Sequence, residues 1–130
     1  MILLDSDVMI DLLREYPPAI DWLNSLDEDD ELYLPGYVVM ELIQGCRNKK
    51  EQKLLQKELA QYSVLWPLPD ECQKALEIFT QYRLSHNAGL LDVLIGQTAV
   101  SYGFDLYTFN DKHYKFIKDL KTIQPYMKNQ

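Results

Sequence analysis

The sequence has little of what builds disulfide scaffolds, zinc sites or membrane spans. Its two cysteines, Cys46 and Cys72, have no CxxC partner and no neighbouring histidine. A disulfide framework or a zinc site is therefore not expected, and both residues are predicted to be buried free thiols. No apolar run approaches the roughly 20 residues of a membrane-spanning helix, and the first residues show no basic segment followed by an apolar core. These absences predict a cytoplasmic protein without a membrane partner.

Positive charge and histidine are also scarce. Thirteen lysines and arginines face 20 acidic residues, which gives a formal net charge of −7. This balance excludes broad, charge-driven binding to nucleic acid, but it does not exclude a nuclease, because catalytic carboxylates are negative until a metal ion binds. His86 and His113 match no metal-ligand spacing, and His113 is the weaker alternative to a metal as a source of general-base catalysis.

The basic residues form two groups along the chain. Each group is typical either of a solvated helix face or of a rim of phosphate contacts around an acidic centre. The first group comprises Arg47, Lys49, Lys50 and Lys53, and the second comprises Lys112, Lys115, Lys118 and Lys121.

Short apolar strands alternate with helical patterns along the whole chain. The predicted strands are residues 2–4, 32–34, 64–66 and 105–107, with residues 122–123 as a candidate edge strand. Such alternation is typical of a parallel sheet covered by helices, and 130 residues with a 47% hydrophobic share suffice for one core. The sequence therefore predicts a single α/β domain over residues 1–130, with residues 2–4 at the centre of the sheet.

The first predicted strand runs directly into acidic residues. Apolar residues 1–4 lead into Asp5, Ser6 and Asp7, after which the apolar pattern takes a helical period. Ser6 or Asp7 is predicted to cap this helix. In open α/β sheets, ligands bind at the carboxyl ends of the strands. Asp5 and Asp7 are therefore either turn and capping residues or carboxylates that hold a cation.

Two further carboxylates stand in apolar helical segments. Glu41 is surrounded in sequence by apolar neighbours, and a buried unpaired charge is too costly to be incidental. It is therefore predicted to reach solvent, an ion pair or a metal. Asp92 stands at the start of another apolar helix. It is predicted to be an N-cap, a functional residue or both, because a helix N-terminus holds a carboxylate in place.

Four segments in this order resemble a PIN domain, and more narrowly the VapC-like toxins of prokaryotic toxin–antitoxin pairs. They are residues 3–7, 39–42, 91–95 and 106–110, and the resemblance spans almost the whole chain. It implies a three-layer α/β/α fold around a small parallel sheet and an endoribonuclease that uses Mg²⁺ or Mn²⁺. It also implies an RNA substrate, a cognate antitoxin and a homodimer.

The resemblance also implies which residues are catalytic. Asp5 and Asp92 resemble the main metal ligands of the family, and Glu41 resembles the second acid of the cluster. Asn110 matches the last and most variable position, where many members have Asp and others Asn. Carboxylate oxygens are the ligands that hard divalent cations prefer, and a metal that activates water needs no catalytic triad.

Several neighbours are expected to support this set. Ser6 matches a position where the family has Thr or Ser beside the first Asp, whereas Asp7 stands where Asn is common and adds a charge. Because Asn110 is neutral, either Asp111 takes its place or the fourth acid is absent. Three basic residues are expected to contact RNA phosphates. They are Arg47, Lys49 and Lys50.

Two alternative functions remain open on the sequence. A strand that ends in Asp-x-Asp is also the hallmark of haloacid-dehalogenase-like phosphatases, in which Asp5 would be the nucleophile and Asp7 the acid/base. That resemblance leaves Glu41 and Asp92 without a role. The other alternative is a catalytically inactive PIN-like binding module, which the neutral Asn110 permits.

The early helices carry more apolar residues than a small core obviously needs. Trp22, Leu54 and Leu55 belong to this surplus. They are expected either to form an interface with a second copy or an antitoxin, or to complete the core.

Overall fold

The computed structural model describes residues 1–128 and shows a five-stranded sheet in which every pairing is parallel. The strand order is β3-β2-β1-β4-β5. The elements, in chain order, are β1 (Ile2–Leu4), α1 (Ser6–Leu13), α2 (Pro17–Ser25), β2 (Leu32–Pro35), α3 (Gly36–Gln44), α4 (Lys49–Leu59), β3 (Ser63–Leu65), α5 (Pro69–His86), α6 (Leu90–Tyr102), β4 (Asp105–Tyr107), a 3₁₀ helix (Asp111–His113) and β5 (Thr122–Ile123).

Strand β1 lies at the centre of the sheet, as predicted. Its residue Leu3 pairs with Tyr33 of β2 on one side and with Leu106 of β4 on the other. All three residues of β1 are buried, which explains the unbroken apolar run, because a central parallel strand is covered on both faces. The carboxyl end of β1 therefore opens at the middle of the sheet edge.

The outer strands differ slightly from the prediction. Strand β3 covers Ser63–Leu65, one residue earlier than predicted. Trp66 leaves the strand and packs edge-on against Tyr37, with ring centroids 5.2 Å apart. Strand β5 pairs with β4 at the opposite edge, so the predicted edge strand is confirmed.

The main hydrophobic cluster lies around β1, and residues from both the first and the last third of the chain contribute to it. It includes Leu3, Met9, Val38, Ile95 and Leu106, all with no or almost no exposed surface. A smaller cluster joins α5 to α6. Helix α6 thus packs on the sheet, and this packing fixes the position of the residues in its first turn.

Four side chains in the structure either differ from the sequence prediction or decide between its alternatives. Trp22 is half-buried and contacts the rings of Tyr107 and Tyr126, so it completes the core. Leu54 is instead 58% exposed. Cys46 and Cys72 are free thiols, but each is half-buried rather than buried.

Within residues 1–128, no helix combines the length and the hydropathy that a membrane crossing requires. The cytoplasmic location stays a prediction.

Candidate active site

Asp5 lies where β1 ends and α1 begins, and it is buried, with 4% of its surface exposed. Its extended backbone and its carboxylate, which accepts a 2.7 Å hydrogen bond from the Ser6 N–H, make it the N-cap of α1. The predicted caps, Ser6 and Asp7, are therefore wrong, because the carbonyl group of Asp5 already accepts the first helical hydrogen bond, from Met9. The cap holds one carboxylate oxygen of Asp5 in a defined place.

The second oxygen of Asp5 is held by residues from the far end of the chain. The hydroxyl groups of Thr108 and Tyr114 each donate to Oδ2 at 2.8 Å. Both hydroxyl-bearing residues are buried. Asp5 therefore has donors on both oxygens, which fix its orientation at the sheet edge.

Asp7 faces the segment that follows β4. Its Oδ2 accepts hydrogen bonds from the backbone N–H of Phe109 at 2.9 Å and from the side-chain amide of Asn110 at 3.2 Å. Burial and the charge of Asp5 raise the pKa of Asp7 above its ordinary value. Asn110 thus lies within the acidic cluster, whereas Asp111 is exposed at the start of the 3₁₀ helix.

Glu41 approaches the cluster from α3. Burial is the main reason that its pKa rises to about 7, and the charges of Asp5, Asp92 and Asp7 raise it further. Its Oε1 atom is buried and has no hydrogen-bond partner in the described part of the chain. A buried carboxylate oxygen without a donor is costly unless a proton or a cation satisfies it.

Asp92 completes the group from the first turn of α6. Gly89 is the N-cap of this helix, so the possible capping role of Asp92 is wrong. Its Oδ1 lies 3.5 Å from the Tyr114 hydroxyl, and its Oδ2 lies 3.7 Å from Nδ1 of His113. Burial and Asp5 raise the pKa of Asp92, while His113 and Tyr114 oppose that rise.

The basic residues predicted to contact RNA lie at the start of α4. Arg47 forms a 2.8 Å ion pair with Glu51, and Lys49 and Lys50 are exposed in the first turn of the helix. Glu51 and Glu41 line the same groove. Contact between these basic residues and RNA stays a prediction.

The acidic cluster has the oxygen ligands that a divalent cation prefers, although its carboxylates do not lie close enough to form a complete ligand set. Among residues 1–128, the Asp, Glu, His and Cys side chains form no ready-made set of three metal ligands. The available donors are nevertheless carboxylate oxygens, which Mg²⁺ and similar ions prefer, and Oε1 of Glu41 lacks a partner. Burial, and after it the charges of neighbouring carboxylates, raises the pKa values of Asp7, Glu41 and Asp92. A bound cation would offset the repulsion among these carboxylates.

The sequence did not predict that three residues support the carboxylates of the site. Thr108 and Tyr114 bind Asp5, and His113 lies beside Asp92. Thr108 stands within a segment that resembles the family. For Tyr114 no local signal exists, because a buried tyrosine after a strand usually belongs to the core. Its role depends on a contact between residues 109 positions apart.

Comparison with known proteins agrees with this geometry. The PIN domain family model matches residues 2–118. Ribonuclease VapC10 of Mycobacterium tuberculosis is 37% identical over 122 residues, which are 93% of this chain and 91% of that protein. Ribonuclease VapC19 of the same organism is 32% identical over 126 residues, which are 93% and 98% of the two chains.

Solved structures share the same fold. VapBC-1 from nontypeable Haemophilus influenzae superposes with a TM-score of 0.78 at 23% identity, covering 96% of this chain and 98% of that chain. A toxin–antitoxin complex from Klebsiella pneumoniae superposes with a TM-score of 0.75 at 20% identity, covering 97% and 98%. The predicted PIN-like α/β/α fold is thereby confirmed, and the PIN match includes the segments that the phosphatase alternative left unexplained. This chain belongs to the PIN domain family.

Proposed function

We propose that this protein is a divalent-metal-dependent endoribonuclease and the VapC-like toxin of a toxin–antitoxin pair. The observation that carries the proposal is the orphaned Oε1 of Glu41 at the sheet edge, in electrostatic contact with Asp5, Asp7 and Asp92. Two relatives above 30% identity, both named ribonucleases, support the reaction class.

Asp5 and Asp92 are the residues proposed to hold Mg²⁺ or Mn²⁺. When bound, such an ion supplies Lewis-acid chemistry that activates water and offsets the negative charge of a phosphodiester. Asp5 is oriented for this role by its cap and by the two hydroxyl donors on Oδ2. Asp92 receives weaker support from Tyr114 and His113, which leaves lone pairs of its carboxylate available.

Glu41 is proposed to move the proton. A carboxyl group with a pKa of about 7 exchanges its proton readily near neutral pH. As the water oxygen attacks phosphorus and the bond to the leaving oxygen breaks, Oε1 of ionised Glu41 would accept the proton from that water, and the leaving oxygen would take a proton from solvent. Asn110 is proposed to orient Asp7 through the hydrogen bond that its side-chain amide donates to that carboxylate.

The proposed partners are RNA, a cognate antitoxin and a second copy of the chain in a homodimer. An open groove of about 760 Å³ leads away from Glu41 between α1, α3 and α4, and its wall includes Leu42, Leu54 and Leu55. The partly exposed apolar wall supports the docking of an antitoxin segment there, and a toxin–antitoxin complex is among the solved structures of this fold. We also propose that residues 1–130 form one PIN-like domain.

The test is RNA cleavage by the purified wild-type protein in Mg²⁺, in excess chelator, and by Asp5→Asn. Asparagine is as good an N-cap as aspartate, so this variant keeps the start of α1 and removes the charge. Asp21→Asn, a change at an exposed residue of α2, is the matched control. We expect cleavage by wild type and control in Mg²⁺ and none in chelator or by Asp5→Asn.

The inactive binding module is the second candidate, and the neutral Asn110 is the observation that favours it. Absence of cleavage by wild-type protein with either Mg²⁺ or Mn²⁺, on structured and unstructured RNA, would favour this module. Undiminished cleavage in chelator would instead point to a metal-independent nuclease and reject the proposal.

A further inference from the structure

A second cavity adjoins the acidic cluster at Asp92. It has a volume of about 320 Å³, which lies in the range of clefts that hold one small ligand. Its wall includes His86, Asn87, Lys112, His113 and Phe116, with Asp92 at its edge. Of these residues, the mechanism proposed above uses only Asp92 and its neighbour His113.

We propose that this cavity binds one nucleotide of single-stranded RNA next to the scissile phosphate. The proposal rests on the proposed function, because it names a subsite of the same active site. Asp92 belongs to both places, since it lies close to the Tyr114 hydroxyl that binds Asp5 and also lines the cavity. A nucleotide in the cavity is therefore adjacent to the carboxylates.

Two of the residues that line the cavity, His86 and Phe116, belong to a cluster of aromatic rings with Tyr82. The ring of Tyr82 packs against His86 and against Phe116, with centroid distances of 5.1 Å in both cases. His86 and Phe116 are themselves 6.2 Å apart. Single-stranded RNA is recognised largely by stacking of unpaired bases on aromatic and histidine side chains. This aromatic cluster provides a surface of that kind.

The cavity lining also includes hydrogen-bond donors and a positive charge. Lys112 and His113 project from the 3₁₀ helix, and half of the His113 side chain is exposed. An imidazole carries at least one N–H donor in either protonation state. In a chain with a net charge of −7, Lys112 and the His113 imidazole beside a carboxylate cluster are suited to the phosphate of a bound nucleotide.

The loop that completes the wall is held in place. Asn87 ends α5 in the left-handed backbone region, with φ of 52°. Arg83 donates to the side-chain oxygen of Asn87 and, at 3.4 Å, to the carbonyl group of Ala88. These hydrogen bonds fix the loop between α5 and α6, so this part of the cavity wall has a defined position.

The test measures RNA binding in the cleavage-deficient Asp5→Asn background. A short fluorescein-labelled single-stranded oligoribonucleotide of mixed sequence is titrated in Mg²⁺ at several salt concentrations, with fluorescence anisotropy as the readout. Lys112→Ala and His86→Ala alter exposed residues, so both proteins are expected to fold. Lys115→Ala is the matched control, because Lys115 is an exposed lysine of the same segment that does not line the cavity.

We expect His86→Ala to weaken binding about tenfold through lost stacking, with His86→Phe restoring most of it. Lys112→Ala should weaken binding and reduce the slope of log K against log salt by about 0.7 to 1, whereas Lys115→Ala should leave both unchanged. If Lys112→Ala and His86→Ala bind RNA with the same affinity as the Lys115→Ala control, the proposed subsite is wrong. It is also wrong if the Asp5→Asn protein binds no RNA.

Wild-type cleavage separates the two hypotheses. If wild-type protein cleaves RNA in Mg²⁺ while the cavity variants bind RNA as tightly as the Lys115→Ala control, only the subsite is wrong. If wild-type protein does not cleave at all, the proposed function itself fails.

Discussion

The hydroxyl group of Tyr114 lies 2.8 Å from Oδ2 of Asp5 and 3.5 Å from Oδ1 of Asp92. One buried phenol thus links the two carboxylates that are proposed to hold the metal ion. Burial and the nearby carboxylates raise the pKa of Tyr114 above its ordinary value, so the phenol keeps its proton and remains a donor.

Tyr114→Phe is expected to lower the affinity for divalent cations about 10- to 100-fold, as loss of a hydrogen bond to a metal ligand typically does. Asp5 would lose one of the two donors that orient Oδ2. Titration with Mn²⁺, followed by calorimetry, measures this affinity directly. Tyr126→Phe is the matched control, because Tyr126 makes a similar 2.7 Å hydrogen bond to Asp11. Equal Mn²⁺ affinity in both variants would show that the Tyr114 hydroxyl does not orient the ligand.

Glu41→Gln is expected to change how stability depends on pH in the absence of metal. The folded pKa of Glu41, about 7, lies above the ordinary value of 4.5. Its contribution to stability is therefore complete below pH 4.5 and is lost as the pH rises through 7. Above pH 7, Glu41→Gln should be more stable than wild type by about 1–2 kcal/mol, after allowance for the partly exposed side chain.

Chemical denaturation of the chelator-treated proteins at pH 4.5 and pH 8 measures this effect. Glu77→Gln, an exposed change on α5, is the control. A constant difference between Glu41→Gln and wild type at both pH values would contradict the raised pKa.

Asn110→Ala is expected to reduce RNA cleavage by about tenfold, the loss that corresponds to one hydrogen bond to a charged group. Its amide donates to Asp7, whereas the neighbouring Asp111 is exposed. Asp111→Ala should therefore leave cleavage close to wild type. Initial rates at low RNA concentration give the comparison. A larger loss for Asp111→Ala would assign the fourth position to Asp111 instead.

Gly96→Ala is expected to destabilise the protein and to weaken Mn²⁺ binding together. A Cβ atom at Gly96 would lie 2.5 Å from Cδ1 of Ile117 and 3.3 Å from Cδ1 of Tyr114. Overpacking of this kind costs about 1–3 kcal/mol, partly offset by up to about 1 kcal/mol of helix propensity. Gly45→Ala is the control, because its added Cβ meets no atom closer than 3.5 Å.

Thermal unfolding and Mn²⁺ titration of the two variants provide the measurements. If Gly96→Ala keeps wild-type stability, the prediction is wrong, and the segment that carries Tyr114 and Ile117 moves to accommodate the added methyl group at no cost in stability.

The sequence alone determined the features that depend on neighbours along the chain. The apolar run 2–4 identified the central strand, because an unbroken apolar run is typical of a parallel strand that is covered on both faces. Gly103 ends α6 with φ of 67°, a left-handed conformation that glycine adopts readily after a helix. The motif segments around Asp5, Glu41 and Asp92 predicted the PIN family before any contact between them was known.

Tertiary structure alone decided how the carboxylates are held. Thr108 and Tyr114 reach Asp5 across 103 and 109 positions, and no periodicity in the sequence encodes such contacts. They exist because β4 pairs with β1, which brings the segment after β4 to the end of β1, and because Gly96 leaves room for Tyr114 against α6. The hydrogen bonds at the site therefore follow from strand order and close packing, which local residue patterns do not specify.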